Sequence, residues 1–327
     1  VKKINRYWSS LDYYDMGIYK KSENELIEEL EHLLFTSFKK RLVSDVPVGV
    51  FLSGGVDSSL VAALLQSDST LPIDTFTIGF KGYPHDESVW AKKVADHLGT
   101  NHTTVNLSLE DARNSIRLIP EAYDEPFADN SSLPTLLLSK ITAQKVKVAL
   151  SGDGADELFG GYKHYQLTAN KFNKFCNPSY NRKIIQKSIK YFGVSRLEKI
   201  AKMIGRPKTS DFNHFIQSEF QSNTLNEIYE TYVSFWYKSE AEELLGMKLN
   251  KNPKLNNYKG VDLQKMMFHE FHEFLPNDIL VKIDRASMFY GLEAREPFLD
   301  QNIIEFAARL PIEMKIKGDN SKYILKK

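Results

Sequence analysis

A single cysteine in 327 residues, Cys176, leaves no internal disulfide, which suits a reducing, cytoplasmic compartment. Charge of one sign is also lacking: 43 basic against 42 acidic side chains give a net +1, so no overall field draws the chain to nucleic acid or to a membrane surface. No apolar run approaches the ~20 residues of a membrane span. No signal-peptide pattern, internal repeat or low-complexity tract is found. His85, His97, His102 and His164 have no metal-ligand spacing among them, so zinc is not expected, and Cys176 is read as a packing residue. Two phosphate-loop signatures are missing as well, the Walker A glycine-lysine pattern and G-x-G-x-x-G. What is left is a chain of ordinary globular composition, long enough for roughly two domains.

The informative stretch is residues 46–65, VPVGVFLSGGVDSSLVAALL. An apolar, β-rich run feeds Ser53-Gly54-Gly55-Val56-Asp57-Ser58-Ser59, which opens into a helical pattern. Two glycines let the backbone turn sharply and approach an anion, with N–H groups and a helix N-terminus aimed at a phosphate. Hydroxyls of Ser53, Ser58 and Ser59 add donors. An aspartate inside such a loop implies a bridging Mg²⁺, because a bare carboxylate repels phosphate. An ordinary strand-to-helix turn with a serine cap is the plain alternative, and seven such residues in a row weigh against it.

In chain order, residues 1–21 are aromatic-rich and without periodicity, and read as a connecting arm. Ser22 and Glu25 form a capping box before a helix reaching about residue 42. Strands are expected at 46–52, 72–80, 102–107 and 146–150, with helices between them: one capped by Asp86 and ended by Gly99, one opened by Ser108, one over 135–143. Alternation of strand and helix predicts a parallel, doubly wound sheet with ligands at the carboxyl ends of its strands. The strand at 146–150 runs into a second loop, Ser151-Gly152-Asp153-Gly154-Ala155-Asp156-Glu157-Leu158-Phe159-Gly160-Gly161-Tyr162, so the two loops can face one site. Residues 163–260 read as aromatic-rich helices, followed by helices at 263–274, 279–292 and 302–309.

SGGVDSS resembles the SGGxDS loop of the ATP pyrophosphatases, enzymes that split ATP between its α and β phosphates to adenylate a substrate. SGDGADELFGGY resembles the S-G-[ED]-G-[AS]-D-E-[LIV]-F-G-G-Y signature of glutamine-dependent asparagine synthetases and β-lactam synthetases. YDEPFAD and DRASMFYGLEAREPFLD match further blocks of that family, and the likeness extends from about residue 41 to residue 327. It implies an adenine nucleotide alpha hydrolase-like core over 22–165, a mostly helical remainder over 166–327, and in 1–21 a linker from an N-terminal glutaminase domain whose cysteine nucleophile this chain lacks. The start at Val1 rather than Met agrees with a piece of a longer protein.

Carried over position by position, the resemblance implies that Leu52 and Ile78 lie against adenine. Ser53, Gly54, Gly55, Ser58, Ser151 and Gly152 hold the nucleotide, and Asp57 and Asp156 hold Mg²⁺ on the pyrophosphate. Asp153 stands where the family usually has glutamate, at a position tied to forming the acyl-adenylate, with one methylene less reach. Glu157 either orients the site or binds amine, with helix capping as its competitor. Lys322 matches the family lysine on the α-phosphate and leaving pyrophosphate; without the family it would pass for a solvated tail lysine. The implied reaction makes asparagine from aspartate, ATP and ammonia supplied by glutamine hydrolysis, with no nucleic acid or membrane partner and room for a homodimer. Another carboxylic acid, such as a sugar uronic acid, and a β-lactam-forming ligase remain alternatives, as does a non-catalytic nucleotide-binding module. Asp124, Glu125 and Asp129 either bind a substrate amine or solvate a loop, and Arg285, Glu293 and Arg295 are read as a buried ion network supporting the site.

Overall fold

Successive residues of a strand face opposite sides, and the first strand uses both. The computed structural model describes residues 5–80, 86–176, 187, 191, 224–234, 236, 238–249, 255 and 262–327. Its strand β1 (Val48–Phe51) sends Val50 into one core with Val61, Leu65 and Ala91, and Phe51 to the other side against Phe76 and Ala149. Strands β2 (Asp74–Gly79), β3 (Asn101–Asn106), β4 (Val148–Leu150) and β5 (Glu293–Arg295) complete a five-stranded sheet of order β3-β2-β1-β4-β5. Every pairing in it is parallel. Burial on both faces explains why β1 and β4 read as apolar runs rather than as an alternation.

Helices α1 (Ser10–Asp15), α2 (Glu23–Arg41), α3 (Val56–Asp68) and α4 (Ser88–Leu98) precede β3, and α5 (Leu109–Ser115), α6 (Ile119–Tyr123) and α7 (Ser132–Thr142) precede β4. The main core is built by Leu26, Leu30, Leu34 and Phe38 of α2 with the inward faces of α3 and α4. On the other face Leu138 of α7 packs with Phe76 and Ala149. The caps are those the sequence implies: Ser22 with Glu25 and Ser108 with Asp111 form reciprocal capping boxes, the Asp86 carboxylate accepts from Ser88 N, and Gly99 ends α4 in the left-handed region at φ 73°.

Three expectations need correction. The arm is not without structure: Ser9 caps the six-residue α1, Trp8 Nε1 donates to Glu305 at 2.9 Å, and the Tyr19 ring meets Phe306 at 5.5 Å. So short a helix is marginal by itself and is held by docking, which leaves no periodicity to read. The helix expected to reach residue 292 stops at Met288, and β5 follows, a three-residue edge strand with Glu293 exposed, the charged character that edges tolerate. Finally, residues 166–327 are not one helical remainder. Residues 1–161 and 270–327 form one compact unit and 162–269 another, because β5 returns to the sheet.

The second unit is helical where it is described, with helices Lys163–Cys176, Leu225–Val233 and Lys238–Leu245. The Cys176 side chain and His85 lie outside the described residues. Among the described residues no helix is long and apolar enough to cross a membrane.

Candidate active site

In the order β3-β2-β1-β4-β5 the chain moves to one side of β1 for β2 and β3 and to the other for β4 and β5. Ligand crevices form at such a reversal, outside the carboxyl ends of the strands. The loops after β1 and β4 are the two glycine-rich segments.

The first loop is braced by its own hydroxyls. Ser53 N donates to Ser58 Oγ at 3.1 Å, the two hydroxyls lie 2.9 Å apart, and Gly55 N donates to Ser53 Oγ at 3.2 Å. Helix α3 starts at Gly55 without a side-chain cap, so its first N–H groups stay available to an anion. Gly54 has φ +80°, and a Cβ there would lie 2.5 Å from Ala91 N, which only glycine avoids. Gly152 of the second loop also passes close: a Cβ would meet Ser58 N at 3.0 Å and Asp57 Cβ at 3.1 Å. The two loops therefore touch.

Lys322 joins them. Its ammonium bonds the Asp57 carboxylate and lies 2.7 Å from Asp156 Oδ1. A Cβ on Gly161 would fall 2.0 Å from Lys322 Cε, so this glycine makes room for the lysine. Lys322 itself sits at φ 51°, a left-handed conformation that costs a non-glycine residue about 1–2 kcal/mol and recurs where function holds a side chain in place. Burial works against its charge, but Asp156 and Asp57 hold the ammonium above its ordinary value. Burial pushes the Asp57 carboxyl up to about 6, with Asp156 and Asp153 adding to the rise and Lys322 opposing it. Its second oxygen, Oδ1, is buried with no partner.

A cavity of about 400 Å³ opens over these groups, within the usual range for small-molecule sites. Of the residues singled out in the sequence, Leu52, Ser53, Asp57, Ser58, Ile78, Ser151, Gly152, Asp153 and Asp156 line it, while Gly54, Gly55, Glu157 and Lys322 do not. Glu157 is buried, in the short helix α8 (Ala155–Phe159). Asp153 is folded back on its loop: Ser151 Oγ donates to its carboxylate and its own N–H donates to Ser151 Oγ at 3.0 Å. Burial raises the Asp153 carboxyl above its usual range, with Asp156 and Asp129 contributing and Lys282 opposing.

Sequence reasoning passed over Lys282, the cation in the cavity wall. Helix Leu280–Met288 carries it, and it reaches Asp129 Oδ2 at 2.7 Å and Ser131 Oγ at 2.8 Å. Burial opposes a charge on Asp129, yet bonds from Lys282 and Ser131 hold its carboxyl well below the usual range. The acidic cluster thus divides, with Asp129 turned inward on Lys282 and Asp124 and Glu125 exposed. Arg285 pairs with Asp124, both largely exposed. It is not part of a buried network with Arg295, which instead binds Glu293 at 2.7 Å and the carbonyls of Arg41 and Val43.

Residues 29–327 match the asparagine synthase family. The chain belongs to that family. It is 30% identical over 319 residues to asparagine synthetase [glutamine-hydrolyzing] 1 of Bacillus subtilis, covering 93% of this chain and 47% of that protein. It is 34% identical over 288 residues to a putative asparagine synthetase [glutamine-hydrolyzing] 2 of Methanocaldococcus jannaschii, covering 86% and 52%, and 40% identical over 144 residues to asparagine synthetase [glutamine-hydrolyzing] 3 of Arabidopsis thaliana, covering 40% and 25%. The chain thus spans about half the length of the first two relatives.

For this asparagine synthase family member the fit to Mg²⁺ rests on Asp57 and Asp156. Among the described residues no group of three or more His, Cys, Asp or Glu side chains could cage a metal. Two carboxylates suffice for Mg²⁺, which keeps waters and takes its other ligands from substrate phosphates. The unpartnered Asp57 Oδ1 and the crowding of the two carboxylates around one ammonium mark a place that demands positive charge.

Proposed function

We propose that this chain is the synthetase part of an ATP-dependent amide ligase that converts aspartate into asparagine through β-aspartyl-AMP, releasing AMP and pyrophosphate. The observation that carries the reading is Lys322 bridging Asp57 and Asp156, one carboxylate from each loop at the reversal of the sheet. A pure nucleotide binder has no use for a clamp on the leaving group.

In this reading Leu52 and Ile78 form the apolar wall for adenine, and the N-terminus of α3 with Ser53 and Ser58 receives the phosphates. Asp57 and Asp156 would hold Mg²⁺, whose charge would offset that of the phosphates as pyrophosphate leaves. Lys322, fixed by those carboxylates before substrate arrives, stabilises charge that grows as the bond between the α and β phosphates breaks. The substrate carboxylate attacks the α-phosphate, which turns a poor leaving oxygen into AMP, a good one. Asp153, one methylene short of the usual glutamate, stays close to its loop through Ser151. Ammonia then displaces AMP. Its source, in the same proposal, is a glutaminase domain of the same polypeptide reached through the aromatic arm, in keeping with relatives named as glutamine-hydrolysing and about twice as long.

A second reading changes only the acid. Residues 125–134 contain no arginine for an α-carboxylate, which favours another carboxylate such as a sugar uronic acid. Lys282 answers this by offering a cation from a different helix. Pyrophosphate release by the purified chain with ATP, Mg²⁺ and ammonium, with and without aspartate, separates the readings. Aspartate-dependent release with asparagine and AMP as products is expected. Release that responds to a uronic acid and not to aspartate would transfer the assignment.

A further inference from the structure

Glu296 follows β5 directly, in the row of residues that carries the rest of the site. The ladder pairs Leu150 with Arg295, and Ser151 N donates to Arg295 O at 3.0 Å. The residue after Arg295 therefore stands beside Ser151, whose hydroxyl holds Asp153. Glu296 lines an open cleft of about 360 Å³ with Leu280, Ile283, Asp284, Arg285 and Ala294. Ile283 also lines the cavity that holds Asp57 and Asp153, so cleft and cavity adjoin at that side chain.

The charged groups around Glu296 are unequal in sign. Asp153 faces it from the second loop and Asp284 from helix Leu280–Met288, while Arg41 at the end of α2 is the opposing cation. Arg285, the cation in the cleft wall, is engaged by Asp124. Burial first, then Asp153 and Asp284, push the Glu296 carboxyl up to about 7. A carboxylate of that basicity is matched to moving protons at neutral pH.

We propose that Glu296 is a catalytic residue of the amide-forming half-reaction, the base that takes the proton from the attacking nitrogen. The inference rests on the ligase reading above. The nitrogen lone pair of ammonia forms the bond to the acyl carbon, and the nitrogen becomes positively charged. One of its protons passes to the Glu296 carboxylate, the C–O bond to AMP breaks, and AMP leaves with the electron pair. The neutral amide remains, and Glu296 returns its proton to water through the open cleft. Asp284 adds a second negative group, so the cleft suits ammonium or a small primary amine and disfavours anions.

Two reactions of the same chain test this. Aspartate-dependent exchange of labelled pyrophosphate into ATP reads adenylation alone, and amide formation from ammonium reads the second half. Glu296→Gln is expected to retain exchange and to lose amide formation about 10²–10⁴-fold, together with the rise of the pH profile near 7; Glu296→Asp is expected to keep part of that rise. Amide formation in Glu296→Gln within threefold of the parent, with the same pH profile, would overturn the proposal and leave the ligase reading standing. Equal loss of exchange and amide formation in both variants would assign Glu296 a structural role and also overturn it. Absence of exchange in the parent chain would remove the ligase reading, and this proposal with it.

Discussion

Two clusters of carboxyl groups lie at the carboxyl ends of the sheet, and they are built in opposite ways. Asp57 and Asp156 close around the Lys322 ammonium, so a cation is in place before any substrate arrives and one negative charge is left over. Glu296, Asp153 and Asp284 face one another with Arg41 as the nearby opposing cation. The difference teaches that the same residue types do different work by their neighbours: carboxylates sharing a cation are ready to hold a metal and phosphate, and carboxyls pressed on one another are ready to exchange protons. Each prediction breaks or sharpens that contrast.

The largest effect is expected at the cluster built around Lys322. Lys322→Met leaves Asp57 and Asp156 facing each other and removes the cation at the leaving group, so pyrophosphate release should drop about 10²–10³-fold, with adenine nucleotide binding measured by calorimetry largely retained. Gly161→Ala tests the same lysine from outside the chemistry. Its Cβ would fall on Lys322 Cε and Asp156 Oδ1, and a displacement of about 1 Å should lower turnover roughly 10²-fold; turnover equal to the parent's would mean that the lysine does not need this position.

A smaller effect is expected at Asp129. Asp129→Asn loosens Lys282 and should raise KM for the acid substrate about 3–10-fold, around 1 kcal/mol, while KM for ATP stays. Equal changes in both would place Lys282 on the phosphates instead.

The smallest effect is on stability. Glu296 has a folded pKa above its unfolded value, so the folded chain keeps a proton that the unfolded chain loses. Its contribution favours folding at low pH and is lost as pH rises from about 4.5 to about 7, where a half-buried charge must form. Glu296→Gln should therefore raise the melting temperature by a few degrees at pH 8, about 1–2 kcal/mol, and leave it unchanged at pH 4. A variant destabilised at pH 8 would mean that the carboxylate is well solvated or paired there.

Those two clusters also divide what the sequence makes legible. The capping box at Ser22, the helix start at Ser108, the stop at Gly99 and four of the five strands of the main sheet follow from local pattern, because each depends on residues a few positions apart. Both loops follow from their glycines and from the strands before them. Lys322 is separated by 265 positions from Asp57 and has no local mark; only family likeness reaches it. Lys282 and Glu296 lie on a helix and beside a three-residue strand whose apolar content is too small to stand out. The strand β5 itself, Glu-Ala-Arg, has the composition of a loop and is a strand because β4 offers an unpaired edge. Helix α1 exists through Trp8 and Tyr19 docking, which no periodicity records.

The central claim is that the two loops and Lys322 activate a carboxylate by transferring AMP to it. The most direct measurement supplies aspartate labelled with ¹⁸O in its side-chain carboxylate, with ATP, Mg²⁺ and ammonium, and weighs the AMP by mass spectrometry. The account predicts one ¹⁸O in the phosphate of AMP for each asparagine formed, since the bridging oxygen leaves with the nucleotide. Unlabelled AMP alongside asparagine would contradict it, because the carboxylate would then never have been joined to the α-phosphate.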